Sequence, residues 1–265
     1  MELIGLRCGE IRADAGLLYR GELSDDRVVI PIMCFAITHP EGVVLFDTGM
    51  NPRVRSDPVG YWGRVVERDL LVPVFPDGAA VTERLQQAGI AMSDVRFVVN
   101  SHLHNDHAGM NCFFNDSIVL MRTREFEHAT EQMDKPYSGY IGNDFQSGDA
   151  GGLRMIEFDE TYDIFDDGLV VLVSTIGHTP GHQSLRVRFP SGKGFTLSGD
   201  AMYQRSSLCT GCPPGVVWDR DLAIASISKL KAMNEHGDAV LVNHDPEMWG
   251  DCVSTQLLHS ERLGS

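Results

Sequence analysis

The stretch Ser101-His102-Leu103-His104-Asn105-Asp106-His107 sets three imidazoles and a carboxylate within six residues. Imidazole and carboxylate together suit zinc, iron or manganese, and no packing requirement asks for so many titratable groups side by side. A lone histidine is ordinarily a hydrogen-bonded residue with no ligand role, but four ligand-type residues at H-x-H-x-D-H spacing read as a metal site. Just before them, Val95–Val99 is short, rich in β-branched residues and preceded by the polar break Ser93-Asp94. That pattern predicts a buried strand that ends where the motif begins. In extended backbone, His102 and His104 point to one side and can bind one ion. Asp106 and His107 are adjacent and need another direction, so the chain is expected to turn after His104 and offer them to a second ion.

Two ions need further ligands, and other predicted strands run out into them. Residues 169–173 lead to Gly177-His178-Thr179-Pro180-Gly181-His182, residues 195–198 to Gly199-Asp200, and residues 239–242 to Asn243-His244-Asp245. Each is weak alone, since a strand-end histidine is commonly just hydrogen-bonded and Asp200 could serve as a turn or cap. Together they describe one edge of an α/β scaffold at which site residues collect.

This constellation resembles the metallo-β-lactamase superfamily from about residue 35 to residue 244. Asp47-Thr48-Gly49, after the strand Val43–Phe46, is similar to the D-T-G turn near the amino end of that superfamily. Within it, Ser-His-Leu-His-x-Asp-His-Ala-Gly at 101–109, Gly-His-Thr-Pro-Gly-His-Gln-Ser-Leu at 177–185 and Asp200-Ala201-Met202-Tyr203 resemble the N-acyl-homoserine lactonases. The resemblance implies one domain over 1–265 with a four-layer αββα sandwich fold. It makes His102, His104 and His178 ligands of one divalent metal and Asp106, His107 and His244 ligands of another, with Asp200 bridging. Zinc is the expected ion, with iron, manganese or cobalt as alternatives. The resemblance further implies that Tyr203 reaches into the site, that His182 packs or hydrogen-bonds without ligating, and that Asp47 orients a ligand imidazole. Asn105 stands where that family commonly has an aromatic residue, and Met202 where it has a small one; both departures bear on substrate preference.

A site of this kind implies hydrolysis. A hydroxide held between two cations attacks a bound carbonyl, Tyr203 helps to stabilise the oxyanion, and Asp106 shuttles the proton. The expected reaction opens the lactone ring of an N-acyl-homoserine lactone, with hydrolysis of another small lactone or ester as the alternative. An iron-dependent oxidoreductase of the same superfamily and a metal-stabilised binding protein stand further off.

A formal charge of −15, from 22 Lys and Arg against 37 Asp and Glu, argues against a nucleic-acid partner. Only a short tail follows His244, unlike the appended helical region of glyoxalase II. Six cysteines in 265 residues, without a signal-like amino terminus, point to reduced thiols in the cytoplasm. Cys209-Thr210-Gly211-Cys212 is a lone C-x-x-C, read as two unrelated thiols in preference to a redox pair or half a zinc site. No apolar run is long enough to span a membrane. Helices are expected over 78–88 and 221–236, the latter with Ile224, Ile227, Leu230 and Met233 as core residues and Gly237 as its stop. The apolar, Pro-interrupted segment 61–75 is expected to be a loop that lines an acyl-chain groove, packs in the core or makes a homodimer contact. Tyr137, Tyr140 and Phe145 share that ambiguity.

Overall fold

The computed structural model describes residues 1–146 and 152–262; residues 147–151 and 263–265 of the expected 1–265 unit lie outside them. The chain opens with strand β1 (Glu2–Asp14), helix α1 (Ala15–Arg20), β2 (Arg27–Thr38) and β3 (Val43–Phe46). Short helices α2 (Pro58–Trp62) and α3 (Arg64–Glu67) precede β4 (Leu71–Val74), and α4 (Val81–Gln87) precedes β5 (Val95–Val99). After the histidine motif come β6 (Ile118–Arg122), α5 (Thr123–Gln132), α6 (Gly142–Phe145) and β7 (Leu153–Ile156). Strands β1, β2, β3, β5, β6 and β7 run side by side in that order, and both β13 (Thr255–Ser260) and β4 pair with the outer edge of β1. The second sheet has the order β12-β11-β10-β9-β8, built from β8 (Thr161–Asp163), β9 (Val170–Ser174), β10 (Gln183–Arg188), β11 (Gly194–Leu197) and β12 (Asp238–Leu241).

Side-chain alternation explains the layering, because successive strand residues face opposite sides of a sheet. Along β2, Met33, Phe35 and Ile37 join Val44, Phe46, Phe97 and Val99 in the core between the two sheets, where they meet Leu172, Leu185 and Leu197. Ile32, Cys34 and Ala36 turn the other way and pack, with Leu45 and Val98, beneath α1, α4 and α5. After the short helix α7 (Ser207–Thr210) comes α8 (Arg220–Glu235), and beyond the second sheet Val240 and Val242 pack on its Ile227 and Leu230. The result is the αββα sandwich.

Three local expectations need correction. Segment 61–75 is not a loop: it contains the end of α2, all of α3 and strand β4, which pairs antiparallel with β1 from Leu71↔Ala13 to Val74↔Glu10. Pro73 is tolerated because β4 has a neighbour on one side only. In α8, Ile224 is 38% exposed, whereas Ile227 and Leu230 are buried as expected, beside Ala223 and Ser226, and Met233 packs against them partly buried. The first predicted helix is shorter, starting at Val81, where the Glu83 carboxylate accepts from the Ala80 N–H. Phe145 is core, packed edge-on against Phe126.

One buried acid lies in this framework away from the histidines. Asp144 is fully buried on α6, accepts from the Tyr61 hydroxyl at 2.5 Å and the Asn51 amide at 3.4 Å, and leaves its Oδ2 unpartnered. Burial pushes its carboxyl up to about 8, against the opposing pull of Tyr61, Asn51 and Arg53. A carboxyl raised in the folded state stabilises only while protonated, so the parent should lose stability as pH rises from about 4 through about 8. The melting temperature of Asp144→Asn minus that of the parent should therefore grow from pH 5 to pH 8 and then level off; a constant difference would show that Asp144 is ionised throughout. In the inter-sheet core, Phe46→Ala should cost about 3–5 kcal/mol in chemical denaturation.

Candidate metal centre

The strand ends deliver the expected residues to one place. Nε2 of His102, Nδ1 of His104 and Nε2 of His178 converge, with 2.9 Å between the first two and 3.1 Å between the last two. A second group holds Asp106, His107 and His244: the Nε2 atoms of His107 and His244 are 3.3 Å apart, and Asp106 Oδ2 is 3.6 Å from each. Asp200 stands between the groups. Its Oδ2 faces His178 and His102 at 3.5 and 3.8 Å, while its Oδ1 faces His107 and His244 at 3.2 Å each. Both sets have donor atoms close enough to share an ion.

Outward hydrogen bonds decide which ring nitrogen faces inward. Nδ1 of His178 donates to the Val216 carbonyl and Nδ1 of His244 to the Pro31 carbonyl, each at 2.8 Å. His107 Nδ1 donates to Asp47 Oδ2 at 2.8 Å. Ser101 Oγ also donates to Asp47 Oδ2, leaving its lone pairs to accept from His102 Nδ1 at 3.0 Å. With the outer nitrogens protonated, the neutral rings turn bare lone pairs inward, the arrangement in which outer partners orient metal-bound imidazoles. Asp200 Oδ1 is buried without a hydrogen bond of good geometry, a setting that suits a positive charge between it and the two imidazoles. Five imidazoles and two carboxylates supply the donor types that bind zinc and its neighbours, and the residues fit a pair of divalent ions.

Electrostatics divides the two halves. Burial, reinforced by neighbouring imidazoles, holds His102 and His104 well below the usual histidine value; burial likewise lowers His178 despite Asp200. Burial also acts downward on His107 and His244, but Asp200 and Asp106 outweigh it and raise both. Asp200 is the mirror image: burial pushes it up, while His107 and His244 pull it well below the carboxylate range. Protons and metal ions thus compete for that half.

His182 is absent from both donor groups. Its Nδ1 donates to the Thr175 carbonyl and its Nε2 accepts from the Asp200 N–H at 2.9 Å, so it fixes the backbone of the shared carboxylate. Burial takes its pKa down to about 3 and keeps it neutral for that task. Asp47 has left-handed backbone, φ 62°, an uncommon conformation for a non-glycine residue. Hydrogen bonds from the Ser101 N–H and hydroxyl and from His107 hold it there.

Tyr203 packs its ring against His178 and His244, at 5.9 and 5.5 Å between centroids, with its phenol beside Asp200. Burial, then the Asp200 and Asp106 carboxylates, raises its pKa and keeps it an O–H donor. Above these groups lies a cavity of about 100 Å³ whose apolar wall includes Ile11, Leu18, Ile30, Trp62, Leu71 and Val216. It shares Trp62, Leu71, Asn105 and Tyr137 with a wider hollow of about 430 Å³. Segment 61–75 thus contributes to the wall, as does Tyr137, whereas Tyr140 is buried against His104 at 4.6 Å. Ile11, Leu18, Ile30 and Val216 escaped the sequence reading because wall and core residues share one apolar alphabet. Ser101 lay within the motif without an assigned role; its only signal was its place directly before His102. Cys209 and Cys212 are exposed free thiols apart from the donor groups.

The metallo-beta-lactamase superfamily model matches residues 27–242, which includes every donor residue except His244. The chain belongs to the metallo-beta-lactamase superfamily. Among similar members, the N-acyl homoserine lactonase AttM of Azorhizobium caulinodans is 36% identical over 225 residues, 83% of this chain and 84% of that one. Such similarity places the chain with the lactonases of the superfamily. The superfamily fold also matches a solved N-acyl homoserine lactone hydrolase with the product N-hexanoyl-L-homoserine at its catalytic metal centre: TM-score 0.80, 24% identity, 96% of each chain covered. It further matches AidC, a dizinc quorum-quenching lactonase, at TM-score 0.68 and 16% identity over 99% of this chain and 95% of that one.

Loss of the Asp47 carboxylate should loosen His107. Asp47→Asn is expected to weaken metal retention about 10–100-fold in competition with a chelator; parental retention would remove Asp47 from the site's support.

Proposed function

We propose that this chain is a two-metal lactonase that opens the ring of N-acyl-homoserine lactones, with zinc as its ions. The observation that carries the reading is the split carboxylate of Asp200, facing a separate imidazole group with each oxygen beneath an apolar-walled cavity. The similarity to AttM, a named N-acyl homoserine lactonase, supports the substrate class. His102, His104 and His178 would hold one ion, Asp106, His107 and His244 the other, and Asp200 both. Two divalent ions there would supply Lewis acidity and lower the pKa of water.

The chain's own residues supply the rest. The apolar wall takes the acyl chain and excludes water, leaving the lactone over the polar floor. The Tyr203 phenol, kept protonated by burial and nearby carboxylates, donates to the carbonyl oxygen as charge develops on it. Asp106, which lines the cavity and keeps part of its side chain accessible, takes the proton released on attack and returns it to the departing ring oxygen. The products are one acyl-homoserine per lactone, a hydroxy acid, and a proton at neutral pH. Free thiols at Cys8, Cys34, Cys209, Cys212 and Cys252 support a reducing, cytoplasmic setting. Among the described residues no helix is long and apolar enough to cross a membrane.

Protein of known metal content should release protons from short- and long-chain acyl-homoserine lactones, and His104→Ala should abolish this. Activity confined to simple lactones or esters would keep the hydrolase and discard the signal substrate. Tyr203→Phe should lower kcat on the order of 10²-fold with metal content unchanged; equal turnover would remove Tyr203 from the mechanism.

A further inference from the structure

Glu125, in the first turn of α5, is 1% exposed yet belongs to neither donor group. A buried carboxylate must be paired by donors or it opposes folding. Its partners are the two loops that carry one half of the centre. Oε1 accepts from the Leu103 N–H at 3.1 Å, the amide between His102 and His104, and from the Tyr140 hydroxyl at 3.2 Å. Oε2 accepts from the Gly181 N–H at 3.0 Å, three residues beyond His178. One carboxylate oxygen therefore engages each ligand-bearing loop.

The local sequence is shaped to permit this. A Cβ on residue 181 would lie 2.4 Å from Glu125 Cβ and 2.5 Å from its backbone nitrogen, so only glycine brings that loop within reach. An acid at the third position of a helix ordinarily turns back to cap the helix start; Glu125 is directed to the loops instead. Tyr140 extends the link, since its ring packs on His104 while Gly139 next to it accepts from the Asn105 N–H. His107 and His244 have braces of their own, Asp47 and the Pro31 carbonyl, and Asp47 also reaches His102 through Ser101.

We infer that Glu125 is a positioning residue that sets the spacing between the His102–His104 loop and the His178 loop, and so governs cation affinity in that half alone. The inference rests on the two-metal reading above. Full-length metal-loaded parent, Glu125→Gln and Tyr140→Phe should be compared for metal stoichiometry, stepwise affinity in Co²⁺ titrations followed by visible absorption, and kinetics at saturating metal. Glu125→Gln replaces one acceptor oxygen by an N–H₂ facing another donor. It should keep one ion at parental affinity, weaken the other about 10–100-fold, and lower kcat with KM within about twofold. Tyr140→Phe should weaken the same ion by a smaller factor. Combining Glu125→Gln with Asp47→Asn should weaken both ions, because Asp47 braces His107 as well as Ser101.

A parent that holds fewer than two ions would overturn the two-metal reading itself. A parent with two ions, beside a Glu125→Gln variant whose ions are both at parental affinity or both weakened alike, would overturn this inference and leave that reading intact. Should Glu125→Gln fail to fold, Tyr140→Phe decides: selective weakening of one ion upholds the role, and two unchanged affinities refute it.

Discussion

The carboxylate of Asp200 is the point on which the structure turns. It is 3% exposed and has imidazole nitrogens of His102, His107, His178 and His244 within 3.2–3.8 Å. A bare carboxylate in such a place is costly unless positive charge meets it. In the protein alone, His107 and His244 are drawn toward protonation to meet that need. Divalent ions answer it more fully, and the donor atoms are placed for them.

Holding so many polar groups in a buried site requires a fixed partner for each. The inter-sheet core gives the strand ends a rigid origin, with Phe35, Phe46 and Val99 fully buried between the layers. From there the braces are short: His182 on the Asp200 N–H, Asp47 on His107 and Ser101, and main-chain carbonyls on His178 and His244. Glycine allows the closest approaches. At Gly199, φ 53°, a side chain would run into His182 and Ser101. The tight turn into Asp200 therefore depends on the absence of a Cβ.

The wall above the centre follows different rules. It is assembled from β1, α1, β2, the α2–β4 segment and the loop that carries Val216, elements far apart in sequence. Each contributes one or two apolar side chains whose neighbours are ordinary core. In the proposed lactonase, a cavity bounded this way would take an aliphatic chain by area and shape, with specificity for the polar end left to the floor.

Local pattern was enough to identify the histidine motif, the strands β3 and β5 and the α8 helix, because ligand spacing and hydrophobic period are properties of neighbouring residues; the fold class followed from the resemblance of the motifs to the superfamily. Segment 61–75 was misread because a proline in an apolar run suggests a loop, and only the edge position beside β1 makes it a strand. Ile224 shares the helical spacing of Ile227 and Leu230 but lies at the edge of their stripe, where Ala223 takes the buried place. The Pro31 and Val216 carbonyls and the Glu125 link had no sequence signal at all. Any residue carries a carbonyl, and any acid can cap a helix. What makes these groups partners is the packing of distant strands into two sheets, a long-range balance of burial against hydrogen bonding that no local run of residues contains.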